Sequence, residues 1–348
     1  MPENADESTG AREALTHNTN NAATAGIWRH RHADGSVIVK HATPPTGDGL
    51  WAAGAEPAHW NYWRREALAY TTGFATEYLS GSRIRPPALL GDSTRPDGSV
   101  ELTLEDVGRG QATGWSPERL GGFAYQLGTV QARWAHPTAD RPTWLSTGWI
   151  RQYAGRFGPE SPPDWDHPQL AAAWPKRLRD GLARQWESRD RLFTLAETAP
   201  RTVSHLDVWP MNIMDDPDSS DGAVLLDWSF IGDGAVGEDI GNLVPDSVAD
   251  GLMPADGLPE IADACVTGYL DGLRDGEWRG SPDEARRAIA VCGAAKYVWL
   301  APMMADRLAR GLAIGSANYD RGDDNPAILE RRRSMMELLV DWTDQALG

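Results

Sequence analysis

His205-Leu206-Asp207-Val208-Trp209-Pro210-Met211-Asn212 is followed downstream by an apolar run, Val224-Leu225-Leu226, that ends on Asp227 and Trp228. The spacing H-x-D-x-x-x-x-N, with a second acid at the mouth of a strand, suits phosphoryl transfer from a nucleotide. That reaction asks for a carboxylate to orient the attacking hydroxyl and for oxygen ligands to hold magnesium against the phosphates. Asp207 fits the first role, and Asn212 with Asp227 the second. One loop and one hairpin would deliver all three. Asp and Asn also cap turns without any chemistry, but the strand signal before Asp227 favours the catalytic reading.

A phosphate partner is suggested by the scarcity of lysine. Of 33 cationic residues only Lys40, Lys176 and Lys296 are lysines. Lys40 closes the β-branched run Ser36-Val37-Ile38-Val39 behind the turn signal Ala33-Asp34-Gly35, so residues 27–41 read as a hairpin. A compact ammonium at a strand end can reach between two phosphates, where a planar guanidinium fits differently. Ala58 to Tyr78 then predicts one helix, with Trp60, Trp63, Ala67, Tyr70 and Phe74 as its buried stripe. Glu66 lies beside that stripe, placed to pair with Lys40; Glu56 and Glu77 are its rivals.

Further along, Ser99 to Leu104 alternates as a strand, and Glu105-Asp106-Val107-Gly108 leaves it as a connector. After Pro117 the texture turns to amphipathic helix. A Pro-rich loop at 161–168 precedes a helix expected over 169–191. Three more helical patterns follow residue 255, with breaks at Gly280-Ser281-Pro282 and at Asp323 to Pro326. The expected organisation is a disordered tail over 1–10, a β-rich nucleotide-binding lobe over 11–106 and a larger catalytic lobe over 107–348.

The formal charge of −17 argues against nucleic acid as a partner, since phosphate contacts need a basic surface. It is compatible with a cationic substrate and equally with simple solubility. The acidic, polar first ten residues lack the apolar core of a signal peptide. No uninterrupted apolar stretch approaches the ~20 residues of a membrane span. Cys265 and Cys292 sit in alanine-rich contexts that suit buried thiols. The expectation is a cytoplasmic protein without membrane contact; its oligomeric state is not indicated.

In its loop and its Leu225-Leu226-Asp227-Trp228 segment the chain resembles the aminoglycoside phosphotransferase and choline kinase group, from about Asn18 to the final helices. The resemblance implies an α+β, two-lobed protein-kinase-like fold with a small β-rich N-lobe and a larger, mainly helical C-lobe. It implies ATP (GTP being the alternative) and Mg2+ as cofactors. By the same similarity Asp207 is the catalytic acid–base carboxylate, and Asn212 and Asp227 bind magnesium. Lys40 would orient the α- and β-phosphates with Glu66 as its partner. Leu104, Glu105, Asp106 and Val107 would be the hinge that meets the nucleotide base. Asp239 would brace the catalytic loop.

One departure is plain: no G-x-G-x-x-G precedes Lys40. In its place Asn18 to Gly26 either covers the phosphates with backbone and hydroxyl donors or is an ordinary turn. Trp209 either lines the acceptor site or packs. The acceptor should be chosen by segments such as 144–153, Trp165 and 299–307. It would be the hydroxyl of a small molecule (antibiotic, amino sugar or related metabolite) or a Ser/Thr of a natural-product precursor peptide. A nucleotide-binding pseudokinase scaffold is the third reading.

Overall fold

The computed structural model describes residues 12–108, 110–315 and 322–348; the tail expected over 1–10 lies outside them. The chain opens with β1 (Arg12–Ala14), β2 (Thr24–His32) and β3 (Gly35–Ala42), then α1 (Arg65–Thr71) and α2 (Phe74–Leu79). Strands β4 (Ile84–Arg85), β5 (Leu89–Thr94) and β6 (Val100–Glu105) follow. Five of these strands make one antiparallel sheet in the order β1-β2-β3-β6-β5. Lys40 stands opposite Ile27 on one side and Leu102 on the other. It therefore lies inside a central strand, where neighbours on both sides fix its backbone, and not at a strand end.

The single helix expected over 58–78 is two short ones. Gly73, left-handed at φ 76, separates them. Residues 58–64 form turns instead of helix, yet Trp60, Ala67, Tyr70 and Phe74 are all buried. The reason is Arg65, which has no exposed surface. Its guanidinium donates to the carbonyls of Pro57 and His59 (both 2.6 Å), Trp60 and Ser229 (both 3.0 Å), and Trp144 (3.3 Å). Those donors hold the preceding segment in a loop and fasten it to the second lobe.

The larger lobe begins with α3 (Pro117–Trp134), which Ser116 caps and Pro117 starts. Strand β7 (Ser146–Thr147) leads to α4 (Trp149–Ala154), α5 (Pro168–Ala173), α6 (Lys176–Glu187) and α7 (Arg189–Thr198). The expected helix over 169–191 is thus interrupted at Trp174-Pro175, where proline disfavours helical backbone in the residue before it, and again at Ser188. Strands β8 (Arg201–Ser204), β9 (Ile213–Asp216), β10 (Ser219–Leu225) and β11 (Gly232–Ala235) complete two small sheets, β4-β10-β9 and β7-β11-β8. Then come α8 (Glu238–Ala249), α9 (Leu258–Asp275), α10 (Pro282–Lys296), α11 (Leu300–Ala309) and α12 (Asn325–Leu347). Among the described residues beyond 255 there are four long helices rather than three, because the chain breaks at Tyr297 to Trp299. The stretch Pro282–Ala309 is long and apolar enough to cross a membrane, but 89% of its apolar window is buried inside the protein, as befits core helices.

A seam of glycines joins α3 to α9. A Cβ on Gly268 would lie 2.1 Å from the Gly121 carbonyl oxygen, and one on Gly272 would lie 2.0 Å from that of Tyr125. A Cβ on Gly128 would in turn meet the Tyr269 carbonyl oxygen at 2.4 Å. The two helices therefore touch backbone to backbone. The result is the two-lobed kinase-like fold: a β-rich N-terminal lobe on a larger helical one.

Candidate active site

The catalytic-loop segment follows β8 directly. Leu206 turns the chain at φ 70, a left-handed conformation that an apolar residue adopts only when its surroundings compel it. The compulsion is visible in Asp239 at the start of α8. Its carboxylate accepts the backbone N–H groups of His205 (2.9 Å) and Leu206 (2.7 Å) and the Gln131 amide (2.6 Å). Gln131 is itself held by the Tyr269 hydroxyl at 2.5 Å, and that hydroxyl accepts the Gly237 N–H at 2.8 Å. His205 is fully buried, edge-on to Trp228, and burial pushes its pKa down to about 4, so the ring is neutral.

Asp207 and Asn212 meet directly. The Asn212 amide nitrogen donates to the Asp207 carbonyl at 3.0 Å and to its carboxylate at 2.9 Å. Asn212 also accepts the Leu226 N–H at 2.8 Å, which ties the loop to the base of the β9–β10 hairpin and to Asp227. Asp227 is left-handed as well, at φ 59, a conformation that Asp tolerates better than most residues. Burial pushes the Asp207 carboxyl up to about 7; Lys296 opposes that rise and Asp227 adds to it.

Lys40 lies between two acids, 2.5 Å from Glu66 and 3.0 Å from Asp227. Burial alone would lower its pKa, but the two carboxylates outweigh that and hold it above the ordinary value. For Glu66 burial wins, and its carboxyl is raised despite Lys40. For Asp227 burial would raise the carboxyl, while Lys40 and the Ser229 hydroxyl at 2.7 Å hold it below the usual range. Of Asp227, only Oδ1 carries these contacts, which leaves Oδ2 open. The Asn212 Oδ1 is likewise uncommitted, its amide nitrogen being turned to Asp207. Two hard oxygen donors thus flank the loop, a donor set that suits magnesium shared with phosphates. Among the described residues no cluster of three His, Cys, Asp or Glu side chains offers another metal site.

At the connector, Glu105 is engaged by both terminal nitrogens of Arg85 (2.6 and 2.9 Å). Asp106 takes Arg29 at 2.5 and 3.1 Å and Ser36 at 2.6 Å. Both carboxylates are thus occupied, and the Glu105 N–H donates to the Ala88 carbonyl at 2.9 Å. A cleft of about 1050 Å³ runs from there, past Lys40, Glu66 and Asp227, to Asp207 and on into the larger lobe. Thr16 to Asn18, with Asn20 and Asn21, lie along its near rim; Trp209 faces it as well, together with Trp149, Tyr153 and Trp299. Neither Trp144 nor Trp165 reaches it. The structure thus gathers Lys40, Glu66, Leu104 to Val107, Asp207, Asn212 and Asp227 into one cleft. Two residues escaped the sequence reading: Arg65, because a buried arginine looks like any surface charge, and Lys296, whose neighbours lie far away in sequence. Its rarity was the one signal that could have singled out Lys296.

No curated protein sequence matches the chain. Among solved structures, the fold is similar to amicoumacin kinase hAmiN in complex with AMP-PNP, Ca2+ and Ami. The TM-score is 0.53 at 11% identity, over 94% of this chain and 88% of that one. An aminoglycoside phosphotransferase from Alicyclobacillus acidocaldarius subsp. acidocaldarius DSM 446 gives a TM-score of 0.54 at 17% identity, over 98% of this chain and 94% of that one. At such identities the likeness speaks for the fold. Sequence carries the rest: the phosphotransferase enzyme family matches residues 97–281, more than half of the chain and the whole span from the connector past Asp239. The chain belongs to that family of phosphotransferases.

Proposed function

We propose that this protein transfers the γ-phosphoryl group of ATP to a hydroxyl of a small molecule, with magnesium as cofactor. The observation that carries the reading is the convergence of Lys40, Asp207, Asn212 and Asp227 on one cleft, from three separate parts of the chain. Asp207 accepts a hydrogen bond from the acceptor hydroxyl and aligns its oxygen with the γ-phosphorus. The new P–O bond forms as the bond to the bridging oxygen breaks; the hydroxyl proton passes to Asp207 and ADP leaves. A carboxyl raised to about 7 by burial suits a group that takes up a proton near neutrality. Lys40, fixed by Glu66, presents its ammonium to the α- and β-phosphates. Asn212 Oδ1 and Asp227 Oδ2 would hold magnesium, which when bound neutralises the charge spreading over the phosphoryl oxygens. Positioning and electrostatics supply the rate, as no covalent enzyme intermediate is required.

The names of similar proteins support a small-molecule acceptor: one is an amicoumacin kinase and the other an aminoglycoside phosphotransferase. The reading is tested with Asp227→Asn, chosen because asparagine accepts the left-handed backbone at this position. Metal-dependent ATP turnover should vanish while circular dichroism and melting temperature stay close to wild type. A folded variant with undiminished metal-dependent turnover would remove Asp227 from the metal site.

A further inference from the structure

Lys296 ends α10 in the acceptor half of the cleft and is 6% exposed. Among the described residues it has no hydrogen bond, and no carboxylate lies within 4.0 Å. Its neighbours are aromatic: the ammonium stands 5.3 Å from the Trp149 ring, 5.7 Å from Tyr297 and 5.8 Å from Tyr153. A buried charge is costly unless it is paired, and ring faces with a helix C-terminus offset only part of that cost. The contrast with Lys40, gripped by two carboxylates, is direct.

The acids nearby feel its charge without a direct ion pair: burial raises the carboxyls of Asp207 and Asp246, and Lys296 is the chief influence lowering them. Asp250 is paired with Arg332 at 2.9 Å, and Asp207 is bonded to Asn212 at 2.9 Å. The carboxyl of Asp246 is pushed up to about 6 by burial, with Lys296 opposing. Arg307, on the same side of the cleft, donates to the Ala313 carbonyl at 2.5 Å. Lys296 thus has no carboxylate in direct contact; it is walled by rings and opens to the cleft beside Asp207.

We infer that Lys296 is the specificity residue of the acceptor site and that it receives an anionic oxygen of the acceptor. The substrate class is a hydroxylated small molecule with an aromatic or apolar body and a carboxylate near the reacting hydroxyl. This rests on the phosphotransferase reading above. The carboxylate pairs with Lys296, the body lies against Trp149, Tyr153 and Trp299, and the hydroxyl reaches Asp207. An amine in that place would meet the Lys296 ammonium at short range, which disfavours polycationic acceptors.

The test uses three aromatic alcohols of similar size: mandelate, its methyl ester, and phenylethanolamine. Their dissociation constants are measured by calorimetry on the full chain with ADP and magnesium present. Mandelate should bind at least ~10-fold more tightly than the ester or the amine, the scale of one charge-assisted hydrogen bond. Lys296→Met should erase that preference, and Lys296→Arg should keep part of it. No preference in the wild type, or a preference that survives in a folded Lys296→Met, would overturn the inference. The wild-type comparison decides alone if the variant does not fold. The parent reading is judged separately, by metal-dependent hydrolysis of ATP with water as acceptor. That turnover without carboxylate preference sinks only the Lys296 inference, and its absence sinks the phosphotransferase reading.

Discussion

The two halves of the cleft treat charge in opposite ways. On the nucleotide side the cations described along the cleft are already paired: Lys40 with Glu66 and Asp227, Arg85 with Glu105, and Arg29 with Asp106. On the acceptor side the walls are aromatic and Lys296 has no carboxylate in direct contact. The first half is assembled before any ligand arrives, so little reorganisation is asked of it during the reaction. The second half is complete only with its occupant. A site whose charges are paired beforehand can receive its ligand unchanged; a site for a particular acceptor leaves its last contact to that acceptor.

The sharpest way to break this comparison is at the boundary between the halves. Asp207→Asn should cut phosphoryl transfer by ~10²–10⁴-fold, the scale of general-base catalysis, with nucleotide affinity little changed. Steady-state rates alongside ADP titrations would show it, and a variant with near-normal rate would move the base elsewhere. Next comes the pairing itself. Glu66→Ala strips a buried partner from Lys40 and should cost about 3 kcal/mol of stability, read from denaturant unfolding, and raise the KM for ATP.

A third prediction concerns pH. Glu238 is buried at the start of α8, and burial raises its carboxyl to about 7 from 4.5, with Arg201 opposing. The folded state therefore keeps a proton that the unfolded state gives up. Stability from this group is intact below pH 4.5 and is lost as pH rises through about 7. Glu238→Gln should equal wild type near pH 4.5 and exceed it by about 3 kcal/mol at pH 8. Melting curves across that range give the answer, and a difference independent of pH would refute it. The smallest effect is expected on the acceptor wall. Trp299, half-buried and touching Phe157 at 4.7 Å between ring centres, should lose no more than about 1 kcal/mol on Trp299→Leu. A loss as large as that of Glu66→Ala would erase the distinction between the halves.

What the sequence disclosed follows the same division. The loop His205 to Asn212, the strand before Asp227 and the lone lysine on the hairpin are patterns of short range, and they suffice for the fold and the nucleotide half. Glu66 was legible because one helical turn fixes its side. The helix over 58–78 was overextended, although Gly73 stood in it as a visible break, and the buried stripe formed without the helix because Arg65 supplied the hydrogen bonds. Nothing local marks Arg65, since its five carbonyl partners come from segments as distant as Ser229. Lys296 escaped for the same reason: two of its three rings come from α4 and its field reaches Asp207. The acceptor half is built from long-range contacts, and these are what a linear reading sees least.

The glycine seam between α3 and α9 has a practical consequence for anyone who wishes to change what this protein accepts. Positions 121, 128, 268 and 272 already carry the smallest residue, so every substitution there is an enlargement and pushes backbone against backbone. The push would not stay local. Gln131 on α3 and Tyr269 on α9 together hold Asp239, and Asp239 holds the loop that carries Asp207. Mutagenesis aimed at new acceptors should therefore leave the seam untouched and spend its diversity on the aromatic wall, where the fold has slack to give.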